Sequence, residues 1–408
     1  MWETAFDHFL ARLIVRGELR VTYPDGSVRS YGDGHGLRGE INIHDSPTLR
    51  RLCLHPELAF GEAYMDESVT IGDCELEDVV GVILRNLAAG HRTRWWTTLE
   101  KFRFFVRGYW QRNTAATARC NVAHHYDISD DFYRLMLDAD MQYSCAYFRD
   151  PDMTLEEAQT AKKAHIAAKL RLEPGLHVLD IGCGWGGMAL TLAREHGARV
   201  TGVTLSENQL ATAQARAQAA GLEDQITFRL MDYRALDQRF DRIVSVGMLE
   251  HVGAPQLSVY FDKVSHLLNP DGVALIHTIG RNGRPKAQSA WLNKYIFPGG
   301  YVPSLTEVVE PISRGGMWAL DIESWRLHYA LTLRHWLARF EDNLNTVRQM
   351  YDDRFVRMWR FYLVACLKVF EEVDQTVFQI QLGHKPDAVP LTRDYMYRDT
   401  NLQARAAE

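Results

Sequence analysis

No stretch of about 18 consecutive apolar residues occurs in this chain, so a membrane-spanning helix is not expected. The amino terminus also lacks the charged start and short apolar run of a secretory signal. Cysteine is scarce. Cys53, Cys74, Cys120, Cys145, Cys183 and Cys366 show no Cys-x-x-Cys pair and no metal-ligand spacing, which points to free thiols in a reducing cytoplasm and to no metal site. A formal net charge of −6 gives no support for nucleic-acid binding. Internal repeats and low-complexity segments are missing too, so a repeat architecture is not expected. What is present is apolar material: hydrophobic residues are 46% of the 408, enough for sizeable cores in two or three domains.

The densest signal is Val178-Leu179-Asp180-Ile181-Gly182-Cys183-Gly184-Trp185-Gly186-Gly187. An apolar run ending in an acid, alternate glycines, and a helical stretch from Met188 to Glu195 read as strand, tight turn, helix. Glycine lets the backbone bend sharply and lets a ligand come close, and the N–H groups opening the next helix offer a polar or anionic site. The spacing is not the dinucleotide fingerprint, which keeps two residues between its second and third glycines. The second strand, Arg199 to Thr204, also lacks the acid that would hold a nicotinamide ribose. The Asp-x-Gly-x-Gly-x-Gly form resembles the first motif of S-adenosylmethionine (SAM) methyltransferases.

Further strands are expected at His177–Leu179, Ile226–Phe228, Asp241–Val246 and Gly272–His277, with helices over Glu207–Ala220 and Ala254–Leu268. The second helix is closed by Asn269-Pro270-Asp271-Gly272. Alternating strands and helices argue for an α/β fold, a mostly parallel sheet covered on both faces. Sites in such sheets form at the carboxyl ends of strands, which selects Asp180, Thr204, Asp232, Glu250 and His277.

The amino-terminal stretch reads as a separate module with strands at Gly17–Tyr23 and Gly39–Ile43 and helices around Ser46–Leu58 and Glu75–Ala89. Between Arg85 and Arg119, eight basic residues face one acid, Glu100, and alternate with Trp95, Trp96, Phe102, Phe104, Phe105, Tyr109 and Trp110. Such a stretch suits a membrane surface. It equally suits a linker helix with a solvated basic face and aromatics packed on the next domain. The boundaries we draw are 1–95 for a lipid- or substrate-associated domain, 96–125 for a basic aromatic linker, and 126–408 for the catalytic domain. The tail after Pro386 has little periodicity.

Three motif groups flank the glycine turn: His125-Tyr126-Asp127 through Tyr133 with Tyr143-Ser144-Cys145; Gly247-Met248-Leu249-Glu250-His251; and His277-Thr278-Ile279-Gly280 with Tyr295-Ile296-Phe297-Pro298. Together they resemble the cyclopropane-fatty-acyl-phospholipid synthase family, related to the mycolic acid cyclopropane synthases, over roughly residues 10 to 385. The resemblance implies a class I SAM-methyltransferase fold, with a doubly wound, mostly parallel sheet of seven strands and a smaller α+β amino-terminal domain. It implies transfer of a methylene from SAM to the cis double bond of an unsaturated phospholipid acyl chain, with bound bicarbonate as the base. It further implies a homodimer in the cytoplasm, peripherally associated with the inner face of the membrane.

Carried over residue by residue, the resemblance puts the anion on Cys145 and Ile279 (both by main chain), Glu250, His277 and Tyr329, with His251 second in rank. It puts SAM against Tyr143, Ser144, Gly182 and Gly184, with Thr204 and Gln209 on the ribose side and Asp232 and Tyr233 on the adenine side; Asp180 completes the cofactor set. Taken singly, Cys145 would be a buried small residue, His277 a satisfied core histidine and Tyr329 packing. Three other outcomes are open on the residues alone: a methyl- or methylene-branched product, N-methylation of a small amine, and a non-catalytic lipid-binding protein.

Overall fold

The computed structural model describes residues 1–91, 98, 104–105 and 128–397. In the amino-terminal part, α1 (Trp2–Leu13) buries Phe6, Leu10 and Leu13, one stripe of a helix. Strands β1 (Glu18–Thr22), β2 (Val28–Gly32), β3 (Arg38–Ile43) and β4 (Val69–Ile71) form a sheet in the order β2-β1-β3-β4. Between β3 and β4 the single helix expected near Ser46–Leu58 is two, α2 (Ser46–Leu54) and α3 (Pro56–Met65). Pro56 explains the break, because the residue before a proline is pushed out of the helical region and His55 has ψ +59°. Helix α4 (Leu76–Ala88) closes this part with a capping box of Glu75 and Asp78.

The larger part opens with α5 (Asp130–Met136) and α6 (Leu155–Leu170). The chain then alternates: β5 (His177–Ile181), α7 (Gly187–His196), β6 (Arg199–Thr204), α8 (Glu207–Ala219), β7 (Ile226–Leu230), β8 (Phe240–Val246), α9 (Leu257–Leu267) and β9 (Leu268–Arg281). Then come α10 (Ala290–Tyr295), α11 (Leu305–Arg314), β10 (Trp318–Ser324), α12 (His328–Asp342), α13 (Leu344–Met350), α14 (Asp353–Glu372), β11 (Gln375–Gly383) and α15 (Asp394–Tyr397). The seven-stranded sheet has the order β10-β11-β9-β8-β5-β6-β7. Strands β5 to β9 are parallel, and β11 runs antiparallel to both β9 and β10. The order turns about β5, flanked by β6 and β8, so the crevice of a doubly wound sheet opens above those three strands.

Two expectations for this part are corrected. His277 is not at a strand end, because β9 runs on to Arg281, its N–H and C=O groups paired with β11 over Val273–Arg281. The Asn269-Pro270-Asp271-Gly272 turn signal appears inside β9 as a shift of register against β8, between Phe240 and Arg242. The tail carries the short helix α15, held through Arg393 on Asp321 and the Met396 carbonyl near His165.

The two parts pack directly. Lys294 and Tyr295 both hydrogen-bond Glu62, at 2.6 and 2.9 Å, and Arg357 donates to the Met65 carbonyl. Arg85, counted above among the basic residues of a membrane-facing stretch, is instead engaged through both Nε and Nη2 by Glu372, at 2.9 and 2.8 Å. Arg92, Arg94, Lys101, Arg103, Arg107, Arg112 and Arg119 lie outside the described residues, as do most of the proposed linker and His125-Tyr126-Asp127.

Candidate functional site

A cavity of about 170 Å³ lies at the carboxyl ends of β5, β6 and β8. Tyr143, Ser144, Asp180, Gly182, Gly184, Thr204, Gln209, Asp232 and Tyr233 all line it. Gly182 and Gly184 have φ of +82° and +53°, where a side chain is strained. A Cβ on Gly184 would meet nothing within 4 Å, so the turn is open on the side from which a ligand would approach. Helix α7 begins at Gly187 with no side-chain cap, leaving its first N–H groups for a polar ligand. Asp180 is buried, its Oδ2 without a hydrogen-bond partner among the described residues, and burial pushes its carboxyl up to about 7. Thr204 Oγ donates to Gln209 Oε1 at 3.1 Å, which leaves the Gln209 amide nitrogen for a ligand oxygen. Asp232 accepts from Arg234 at 2.8 and 2.6 Å and caps the turn that carries Tyr233. An uncapped helix start, an open glycine turn, an orphaned carboxylate oxygen and the Gln209 amide nitrogen make a set of donors and acceptors that fits SAM.

The Gln142–Cys145 segment is held from behind by α6. Gln159 Nε2 donates to the Gln142 and Ser144 carbonyls at 3.2 and 3.0 Å. Lys162 Nζ donates to Gln142 Oε1 and Ser144 Oγ at 2.9 and 2.7 Å, and Lys163 reaches Asp140 at 2.6 Å. Lys162 is fully buried, and desolvation brings its ammonium down to about 8. Tyr143 stacks on Trp336 with ring centres 5.2 Å apart and shares a 2.8 Å hydroxyl hydrogen bond with Tyr362.

The five residues proposed around the anion sit beside this cavity and do not line it. Glu250 Oε1 accepts the Ile279 N–H at 2.6 Å. Its Oε2 is buried without a partner among the described residues, and burial raises the carboxyl to about 7. His277 lies two residues before Ile279 on β9, with its ring edge-on to Trp325 at 5.0 Å. Burial, helped by Lys162 and Lys169, holds the His277 imidazole well below its usual value, so the ring is neutral. Cys145 is buried, and the next N–H, Ala146, donates to Thr332 Oγ1 at 3.0 Å. Thr332 is one turn along α12 from Tyr329, which packs at 4.8 Å on Phe370 and edge-on to Trp336. Desolvation raises the Cys145 thiol far above its usual value, so the side chain is not a nucleophile. His251 does line the cofactor cavity, and burial lowers its ring to about 4.

Residues 113–380 match the family model described as mycolic acid cyclopropane synthetase, and residues 5–91 match a domain of unknown function. The chain belongs to the mycolic acid cyclopropane synthetase family. It is 43% identical over 289 residues to a probable fatty acid methyltransferase of Pseudomonas putida, covering 68% of this chain and 73% of that protein. It is 37% identical over 349 residues to the cyclopropane-fatty-acyl-phospholipid synthase of Escherichia coli K12, covering 84% of this chain and 87% of that one. Among solved structures, the mycolic acid cyclopropane synthase CmaA1 in complex with SAH and CTAB superimposes with a TM-score of 0.62 at 35% identity. That match covers 65% of this chain and 97% of the other. This family member is accordingly a SAM-dependent methyltransferase with the doubly wound seven-stranded fold.

Several residues around the family site carried no sequence signal of their own. Asp130 ties three elements together, accepting from Trp185 Nε1, Asn208 Nδ2 and Thr212 Oγ1 at 2.8, 2.8 and 2.7 Å. It falls in a motif noted above, yet its partners are up to 82 residues away. Lys162, Lys163 and Lys169 all sit on α6, and only the tertiary structure buries them.

Proposed function

We propose that this enzyme transfers a methylene from SAM to the cis double bond of an unsaturated phospholipid acyl chain, forming a cyclopropane ring with bicarbonate as the base. The observation that carries this reading is the Glu250 carboxylate, buried and bonded on one oxygen to the Ile279 amide, with its other oxygen unpartnered among the described residues. A buried carboxylate oxygen with no donor is costly, and the O–H of a hydrogen carbonate would satisfy it. When bound, SAM supplies an electrophilic methyl, and bicarbonate supplies the base for the proton that methyl must lose before ring closure.

The chain's own residues orient and shield. The glycine turn and α7 hold the cofactor, and Lys162 fixes Ser144 and Gln142 at its methionine end. Glu250, with the His277 and Tyr329 side chains and the main chain at Cys145 and Ile279, orients the anion. Tyr133, Tyr143, Trp336 and Trp185 form an aromatic wall that excludes water and offers π faces to positive charge. A second cavity of about 830 Å³, apolar and walled by Phe9, Phe60, Trp291, Phe361 and Cys366, supports a lipid substrate. Among the described residues no helix is long and apolar enough to cross a membrane. We assign the basic aromatic segment to the membrane surface, where Phe105 is 87% exposed, and a homodimer to the working form.

Mass spectrometry after incubation with SAM and vesicles of cis-monounsaturated phospholipid tests this. An acyl chain heavier by CH₂ and resistant to hydrogenation is the expected product. The probable fatty acid methyltransferase at 43% identity favours one other reading, a branched chain, which would gain the same mass and still hydrogenate if it kept a double bond. No lipid product would favour a small-amine N-methyltransferase.

A further inference from the structure

We propose that Lys169 and Gln379, backed by Glu323, are positioning residues that fix His277 in the tautomer carrying its proton on Nε2, presenting a donor to the anion site. The proposal rests on the anion-site reading for its purpose, but its geometry stands alone. Across three neighbouring strands, Glu323 on β10 pairs with Gln379 on β11, which pairs with His277 on β9. Directly opposed residues share a face of the sheet, so the three side chains form one row. Lys169 of α6 lies over that row and hydrogen-bonds both Glu323 and Gln379.

Donor identities then decide the rest. An ammonium only donates, so the 2.9 Å contact of Lys169 Nζ fixes the oxygen of the Gln379 amide toward the lysine. The amide nitrogen therefore faces His277 Nδ1, 3.1 Å away. An amide NH₂ cannot accept, so Nδ1 must, and a neutral imidazole then carries its one proton on Nε2. Nε2 has no hydrogen-bond partner among the described residues, which leaves that proton for a ligand. Gln379 and His277 are 0% and 2% exposed, so water does not compete for these positions. Glu323 holds the lysine in place: burial opposes its ionisation, but the His165 hydrogen bond and the Lys169 ammonium keep its carboxyl well below the usual range. A row that merely satisfied buried polar groups would not need one tautomer over the other.

The test is long-range ¹H–¹⁵N NMR on histidine-labelled protein, with the His277 signal assigned by its loss in His277→Gln. Wild type without ligand is expected to show Nε2 protonated and Nδ1 bare. In Gln379→Glu the new carboxylate accepts from the ring, so the proton should move to Nδ1 while circular dichroism and SAM binding stay unchanged. With the donor turned away, kcat should fall about 100-fold, the usual loss when one preorganised donor is removed. A wild-type ring protonated on Nδ1 overturns the proposal without any variant. An unchanged tautomer in a folded Gln379→Glu overturns it as well. A switched tautomer with unchanged turnover leaves the row intact as a positioning device and overturns the anion-site role of His277 instead. Should Gln379→Glu not fold, Lys169→Met, which frees the Gln379 amide to turn, is expected to give a mixture of both tautomers, and a single unchanged tautomer there counts against the proposal.

Discussion

Burial lifts the carboxyls of Asp180 and Glu250 to about 7 each, so both bind protons more tightly in the folded chain than in the unfolded one. The sign of the linkage follows. Between the unfolded carboxylate range near ~4 and pH 7 the native state holds extra protons at these two groups, and their contribution to stability falls as pH rises through that window. The buried histidines, among them His251 and His277, act in the opposite sense over the same range, because the unfolded chain binds their protons. The Glu250 contribution is therefore read by comparing urea denaturation of ligand-free wild type and Glu250→Gln at pH 5 and pH 7.5. In Glu250→Gln the stability at pH 7.5 relative to that at pH 5 should rise by up to roughly 3 kcal/mol against wild type, the full worth of one such carboxyl. Equal slopes in the two proteins would mean that water reaches Glu250. In turnover assays the same variant should lose about 100-fold in kcat while SAM affinity changes by less than about twofold, because it acts on the base and not on the cofactor. Comparable activity of wild type and Glu250→Gln would remove the anion site from the proposal.

Helix α6 is the element on which the site depends most. Its capping box of Thr154 and Glu157 was readable, since a threonine followed three residues later by a glutamate is a start signal. Its burial was not readable. Eleven of its sixteen residues are buried, five of them Gln159, Lys162, Lys163, His165 and Lys169, so no apolar stripe marks which side faces inward. Lys162→Met should leave Ser144 and Gln142 without their shared donor and weaken SAM binding about tenfold, with the fold retained, as read by calorimetric titration. Unaltered SAM affinity would reduce Lys162 to a packing residue. A second element-level constraint lies on α3, where Gly61 passes so close to α10 and α14 that a Cβ would sit 2.5 Å from Trp291 and 2.8 Å from Phe361. Gly61→Ala is therefore expected to cost on the order of 1–3 kcal/mol, seen as a lower denaturation midpoint, because two large rings must shift to admit one methyl. An unchanged midpoint would show that the contact between the two parts is loose.

At the scale of the whole molecule, the two parts are joined by the Glu62–Lys294–Tyr295 and Arg85–Glu372 contacts and by a shared core that includes Tyr64, Met65, Trp291 and Phe361. In this arrangement the amino-terminal sheet contributes Leu19 and Ile41 to the wall of the larger apolar cavity. If the basic aromatic segment meets the membrane, Arg103→Ala with Arg107→Ala should weaken binding to anionic vesicles, and more at low salt than at high, since exposed charges are screened. Equal vesicle binding would return those arginines to a solvated surface.

The sequence by itself determined the local chemistry. Glycines at alternate positions after an apolar strand dictate the turn, and strand–helix alternation dictates a parallel sheet, because both are set by residues adjacent in the chain. Arg199–Thr204 and Glu207–Ala219 stand as strand and helix almost residue for residue as the pattern implies. Only the tertiary structure decided that β9 continues past His277, because the hydrogen bonds that extend it come from β11, about a hundred residues on. It also decided that Arg85 is paired, that three lysines of α6 are buried, and that Gln379 faces His277. The Arg85 and Gln379 contacts join residues 287 and 102 positions apart, and no local pattern carries the identity of a partner at such a distance.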